Sequence, residues 1–250
     1  MKWLLLLVVV WQAHSQAVCD PHKFQGAYGV QLSGDTTISG APTPVAVIGR
    51  LEFDGLGSVS GYMSVNFTGY LLGNPVTGKY DAHTNCSLNW SLQDDSGAYQ
   101  HFSGTMTGDL MRVQFRQTDK GGASHGVMMR MPKACSDGAL LKRYNYKISG
   151  STTPMLPGET AHTVSSTGAI DITGTGNLTL TPDGPHAATA GTLEVDSDCI
   201  VTMQLALSVG DSDKTVPMKL RGVLVDDAKE IRAIQTDPGT TVIANFTAGQ

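Results

Sequence analysis

Apolar and polar side chains alternate one for one along much of this chain. Leu51 and Phe53 share a phase against Arg50, Glu52 and Asp54. Val59, Met63, Val65 and Phe67 share one against Ser58, Ser60, Ser64 and Asn66. Leu88, Trp90 and Leu92 alternate with Ser87, Asn89 and Ser91, and Val113 and Phe115 with Arg112, Gln114 and Arg116. A period of two belongs to strands with one face buried and the other solvated. The pattern predicts strands near 26–34, 45–54, 58–69, 76–84, 86–94, 100–108, 111–118 and 124–131. Turn signals separate them at Asp54-Gly55, Asp95-Ser96-Gly97, Gly108-Asp109 and Lys120-Gly121-Gly122.

The same order of features then recurs. Cys19, Tyr28 and Ser33-Gly34 are matched by Cys135, Tyr144 and Ser149-Gly150 at a constant offset of 116. Gly49-Arg-Leu51-Glu-Phe53 parallels Gly168-Ala-Ile170-Asp-Ile172, and Gly78 through Cys86 parallels Gly191 through Cys199. Gly104 aligns with Gly222, and Gln117-Thr-Asp119 with Gln235-Thr-Asp237. Apolar positions keep their phase: Val201, Met203 and Leu205 stand for Leu88, Trp90 and Leu92, and Ile231 and Ala233 for Val113 and Phe115. The chain reads as an internal duplication, with residues 18–133 as the first unit, 134–250 as the second and the join near Met131–Lys133. The short join predicts that the units pack together.

Eight short antiparallel strands per unit, with no convincing amphipathic helix, predict an all-β chain of two tandem up-and-down barrels. A sandwich is the competing architecture. If each unit carries its own bridge, the disulfides are Cys19–Cys86 and Cys135–Cys199; the competing arrangement joins Cys86 to Cys199 across the units.

The Cys-x8-Tyr opening, the Gly-x-Leu-x-Phe-Asp-Gly-x-Gly-x-Val-x-Gly segment at 49–61, the Gly-x-Tyr…Cys segment and Gln-Thr-Asp together resemble a group of uncharacterised secreted bacterial β-repeat proteins. These are built from one or more copies of such a unit, and no activity carries over from them. More loosely, Phe24-Gln-Gly26-Ala-Tyr28 is similar to the Gly-x-Trp opening strand of lipocalin and calycin barrels, with Tyr in place of Trp. That similarity implies a calycin-like barrel by analogy.

Met1-Lys2, the apolar run Trp3–Trp11 and small residues at Ser15 and Ala17 form a secretory signal pattern over residues 1–17, so the protein is expected outside the cytoplasm, secreted or periplasmic. The run is shorter than the roughly 20 residues a membrane helix needs, and Val18 before Cys19 fits a lipid-attachment signal poorly. Net charge is −5, and no basic block along the sequence is suited to nucleic acid.

Candidate chemistry is sparse. Gly122-Ala-Ser124-His125-Gly126 matches the hydrolase Gly-x-Ser-x-Gly pattern but leads from a turn into another strand, not into a helix. The histidines at 14, 22, 83, 101, 125, 162 and 186 are scattered, and no metal-ligand spacing or cofactor motif is evident. The paired aspartates at 94–95, 196/198, 211/213 and 226–227 read as turn residues. Five asparagines, 66, 85, 89, 177 and 245, lie in Asn-x-Ser/Thr sequons in the outward phase or beside a turn.

Tyr28, Phe53, Phe67, Trp90 and Phe115 take the inward phase in the first unit, with Tyr144 and Tyr146 in the second. Gln117 and Gln235 are in phase with these cores and should point inward near a barrel end, where a polar group could orient a ligand; the competing reading is structural, a Gln that satisfies backbone and an Asp that begins a turn. The expectation is a non-enzymatic binding protein, either a carrier of a small apolar ligand or a surface interaction module. Its candidate ligand-binding residues are Tyr28, Phe53, Trp90, Phe115, Gln117, Tyr146 and Gln235. The alternative is a barrel-type isomerase or cyclase using Tyr28, Gln117 and Asp119, which requires one cavity to reach all three.

Overall fold

The computed structural model describes residues 18–249, except 39, 68–69, 137, 139, 156–157, 174–175 and 209–214 and the side chains at 38 and 208. The expected leader, 1–17, lies outside the described residues. The first eight strands are β1 Gly26–Ile38, β2 Ala41–Phe53, β3 Ser58–Phe67, β4 Tyr70–Ala82, β5 Ser87–Asp94, β6 Tyr99–Met106, β7 Arg112–Gln117 and β8 His125–Arg130. Then follow β9 Arg143–Thr152, β10 Thr163–Thr173, β11 Asn177–Pro182, β12 Thr189–Val195, β13 Ile200–Ser208, β14 Thr215–Val225, β15 Glu230–Gln235 and β16 Thr240–Ala248. Each set of eight closes into an antiparallel barrel: β1 pairs with β8, and β9 with β16. Closure removes the sheet edges, and the sandwich is thereby excluded.

Two hairpins are longer than the alternation suggested. The β1–β2 pairing continues to Ile38↔Ala41 and the β3–β4 pairing to Phe67↔Tyr70. Past Gly34 and before Val45 the sequence is polar or proline-bearing (Asp35-Thr-Thr, Ala41-Pro-Thr-Pro44). These arms project beyond the core, so burial imposes no alternation on them.

Inside barrel 1 the side chains form tiers. The short 3-10 turn Pro21–Lys23 and Phe24 close one end. Phe24 lies 4.8 Å from the rings of both Tyr28 and Phe53, and Tyr80 packs at 5.0 Å from Phe53. The Cys19–Cys86 bridge ties this plug to the β4–β5 turn. Trp90, Phe102 and Phe115 form the next tier, at 5.0–5.7 Å. Barrel 2 is pinned equivalently by Cys135–Cys199 and filled by Tyr144, Tyr146, Ile148, Leu180, Met203, Leu220 and Phe246. In the chain-entropy view each bridge contributes about 4 kcal/mol for loops of this length.

The repeated tyrosine has a structural task. Tyr28 donates its hydroxyl to Leu110 O at 2.8 Å, and Tyr144 donates to Ala228 O at 2.7 Å. Leu110 (φ 60°) and Ala228 (φ 66°) both occupy the left-handed region in the β6–β7 and β14–β15 turns. Burial raises the pKa of both phenols; at Tyr28 the neighbouring Arg130 charge and hydrogen bond pull the other way without cancelling it. The hydroxyls therefore stay protonated and clamp strained turns.

The barrels pack side by side through their outer faces. Ala46 and Ile48 of β2 and Met129 of β8 point out of barrel 1, yet are buried with Val223, Val225 and Ile234 on the outside of barrel 2. Gly29 makes the approach possible: a Cβ there would lie 2.6 Å from Val223 Cγ2 and Val225 Cγ1. Two polar side chains cross the seam to main-chain acceptors. Gln31 Nε2 donates to Ala233 O (2.8 Å) and Ala244 O (3.3 Å), and Asn66 Nδ2 donates to Gln235 O (2.8 Å). Asp226 N donates to Arg130 O, and the Arg221 guanidinium lies over the Tyr62 ring. One sequence expectation is refined here. Asn66 is outward with respect to its own barrel but fully buried against the other, so that sequon is covered in the folded chain.

Candidate functional site

The hairpin turns β1–β2, β3–β4, β5–β6 and β7–β8 gather at the end of barrel 1 opposite the aromatic plug. There the tiers stop short of filling the barrel and leave a cavity of about 230 Å³. Its wall is Leu32, Val45, Val47, Met63, Val65, Phe67, Val76, Leu92 and Phe102. Alternation creates this wall, because each of these residues holds the inward phase of its strand. Polar side chains ring the opening: Thr36, Thr37, Asn74, Asp94, Gln100, Gln117 and Ser124. A smaller void of about 20 Å³ continues inward toward Trp90 and Phe115.

The candidate residues distribute unevenly about this cavity. Gln117 lines it, and Trp90 and Phe115 line the void beneath. Tyr28 and Phe53 belong to the plug at the far end. Tyr146 and Gln235 are buried in barrel 2. Barrel 1's wall residues Val45, Val65 and Val76 and the rim residues Asn74 and Gln100 were not singled out in the sequence. For the valines, the inward phase of their strands was the available signal.

Gln-Thr-Asp turns out to be a strand-end clasp in both barrels. Thr118 N donates to His101 O at 2.8 Å, and the Asp119 carboxylate accepts from His101 N at 2.8 Å. The carboxylate thus continues the β6–β7 ladder past the last residue of β7. Gln117 Nε2 donates to the same carboxylate (3.0 Å), Ser124 Oγ donates to Gln117 Oε1 (2.8 Å), and the His101 ring lies 2.8 Å from Asp119. Barrel 2 repeats this: Thr236 N donates to Lys219 O, Lys219 N to Asp237 Oδ2 and Gln235 Nε2 to Asp237 Oδ2, at 2.8–2.9 Å. Partial burial works against ionisation of Asp119, but the hydrogen bonds from the His101 N–H, the His101 ring and Gln117 outweigh it and hold the pKa below the ordinary aspartate value. Gln117 therefore presents an amide whose orientation is already set by two partners.

Ser124 of the Gly-x-Ser-x-Gly match is buried on the cavity side, whereas His125 lies in the opposite phase and is exposed on the outer face. The motif does not bring its own serine and histidine together. Nor do Tyr28, Gln117 and Asp119 meet in one cavity, since Tyr28 is spent on Leu110 at the closed end.

No protein-family model matches this sequence, and no curated protein sequence matches it. Among solved structures, the chain is similar to the Trp-176-Ala mutant of transferrin-binding protein B from Haemophilus parasuis Hp5, at 9% identity and a TM-score of 0.36, over 89% of this chain and 76% of that one. An intact transferrin-binding protein B with N and C lobes aligns at 10% identity and a TM-score of 0.30, over 90% and 76%. A porin-like protein from Bacteroides uniformis aligns at 8% and 0.19, over 90% and 98%. Superpositions this loose carry no functional argument, and the two-barrel architecture rests on the strand registers of this chain.

Proposed function

We propose that this chain is an extracytoplasmic, non-enzymatic carrier whose first barrel takes a small apolar molecule with a polar end. The observation that carries the reading is the cavity of about 230 Å³ with an apolar wall and a polar rim at the mouth of barrel 1. Ligand sites are built this way, apolar for affinity and sparsely polar for orientation. The volume is below the roughly 300–1,000 Å³ of drug-sized sites, so the occupant is small. The two intrachain disulfides support an oxidising compartment.

Trp90 is the one tryptophan beyond residue 17, and it sits under the cavity floor. Titration with N-phenyl-naphthylamine should therefore give saturable changes in both dye and Trp90 emission. Val65→Phe fills the mouth from a partly exposed wall position and should weaken dye binding about tenfold or more, with overpacking costing about 1–3 kcal/mol. Unsaturable dye uptake, or equal uptake by the variant, defeats the carrier reading. The interaction-module reading would then draw on Tyr70, Leu71 and Leu72, which are exposed beside the same mouth.

A further inference from the structure

A second concave site lies outside both barrels, where the outer face of β7, β8 and β1 meets that of β15 and β16. It is a groove of about 410 Å³ whose polar lining includes Gln31, Arg112, Gln114, His125, Arg232 and Asn245. We infer that this cleft binds a compact oxyanion, a phosphate or sulfate group, independently of any ligand in barrel 1.

Charge is the first argument. Arg112 donates to Glu230 Oε1 at 2.6 Å and Arg232 to Glu230 Oε2. One carboxylate thus serves two guanidiniums, and the set retains a full positive charge. Among the described residues, no carboxylate lines the groove itself. Two more cations flank it on the same outer faces: Arg116 pairs across the ladder with His125, and Lys147 with Asn245. Both are exposed. The whole chain carries a net charge of −5, so this concentration of cations is no by-product of a basic surface. It is also invisible along the sequence, because it takes Arg112 and Arg116 from one barrel and Lys147 and Arg232 from the other.

Unspent hydrogen-bonding capacity is the second argument. Arg232 Nε is a buried donor without a hydrogen-bond partner in the chain, whereas the unpartnered Asn245 Oδ1 on the neighbouring strand is an acceptor and offers nothing to an anion. A buried donor left unmade costs on the order of 1–3 kcal/mol, and a turn of the Arg232 guanidinium toward an oxyanion in the groove would recover part of it. Preorganisation is the third. Glu230 holds both guanidiniums in place at the barrel seam, and a planar guanidinium presents parallel donors that match tetrahedral oxyanions. The size of the groove leaves room for an organic substituent on the anion.

Calorimetric titration of the full protein with inorganic phosphate, sulfate and glycerol 3-phosphate tests this, with sodium chloride at matched ionic strength as the control. Gln114 is exposed, so Gln114→Glu adds a carboxylate to the groove without touching the Arg112–Glu230–Arg232 set. The expected result is saturable phosphate or sulfate binding at one site per chain, weakened about tenfold or more by Gln114→Glu with an unchanged melting temperature. Arg112→Gln should weaken it as well. Tighter binding of glycerol 3-phosphate assigns the site to an ester, and tighter binding of inorganic phosphate or sulfate to the free ion. A response reproduced by chloride, no saturable response to any of the three anions, or equal affinity in Gln114→Glu overturns the proposal.

Discussion

Replacing Tyr144 with Phe tests whether the repeated tyrosine is a clamp or only a core ring. The ring is fully buried and would stay in place. What disappears is the hydroxyl that donates to Ala228 O at 2.7 Å and accepts from Leu141 N at 3.0 Å. Leaving the buried carbonyl without its donor should cost about 1–3 kcal/mol. Ala228 itself sits at φ 66°, a conformation that costs a non-glycine residue about 1–2 kcal/mol. Ala228→Gly relieves that strain but adds about 0.5–1 kcal/mol of unfolded-chain entropy, so alone it should change stability by no more than about 1.5 kcal/mol. If the hydroxyl holds a turn that would otherwise relax, Tyr144→Phe should cost less in the Ala228→Gly background, with a coupling of about 0.5 kcal/mol or more. Urea unfolding of the four proteins of this cycle, with matching m-values, gives these differences directly. A Tyr144→Phe protein as stable as the parent, or one equally destabilised in both backgrounds, refutes the clamp.

Two further outcomes follow from the geometry. Gly29→Ala places a methyl 2.6 Å from two valine carbons of the other barrel and should cost about 1–3 kcal/mol, partly recovered by Val223→Ala; urea midpoints of the single and double variants check it. The Asp119 pKa is lowered in the folded chain, so its contribution is present above the ordinary aspartate value of about 3.9 and is lost as pH falls through the lower folded value. The stability difference between the parent and Asp119→Asn should therefore shrink on acidification below about pH 4, and a difference independent of pH would contradict the assignment.

The barrels were legible because their cores obey a period of two. Leu88, Trp90 and Leu92 announce one face and Ser87, Asn89 and Ser91 the other, and the repeat of Cys and Tyr at matched positions favoured a bridge within each unit, while the cross-unit Cys86–Cys199 alternative was closed only by the structure. The seam between the barrels was not read, although a signal exists: alternation fails at Val45-Ala-Val-Ile48, Met128-Met129, Val223-Leu-Val225 and Ala233-Ile234. Strands buried on both faces lose their polar phase, and these are the strands that meet. Gln117 was placed correctly as inward, but its phase could not reveal that Asp119 and Ser124 already engage its amide. The cavity escaped the sequence for another reason: void space depends on how side-chain volumes sum across eight strands, and no single strand records that total.

The seam uses different surfaces on the two barrels, β1–β3 and β8 on one and β14–β16 on the other, so it is a head-to-tail contact. Such contacts can in principle propagate from copy to copy. Here the positions on barrel 2 that correspond to Gly29, Gln31, Ala46 and Ile48 are Asn145, Lys147, Ser165 and Thr167, all turned to solvent. A further barrel arriving at that face would meet bulk and charge where barrel 2 found a glycine and an isoleucine. That face of barrel 2 therefore lacks the close backbone approach and the apolar contact on which the seam of this pair depends.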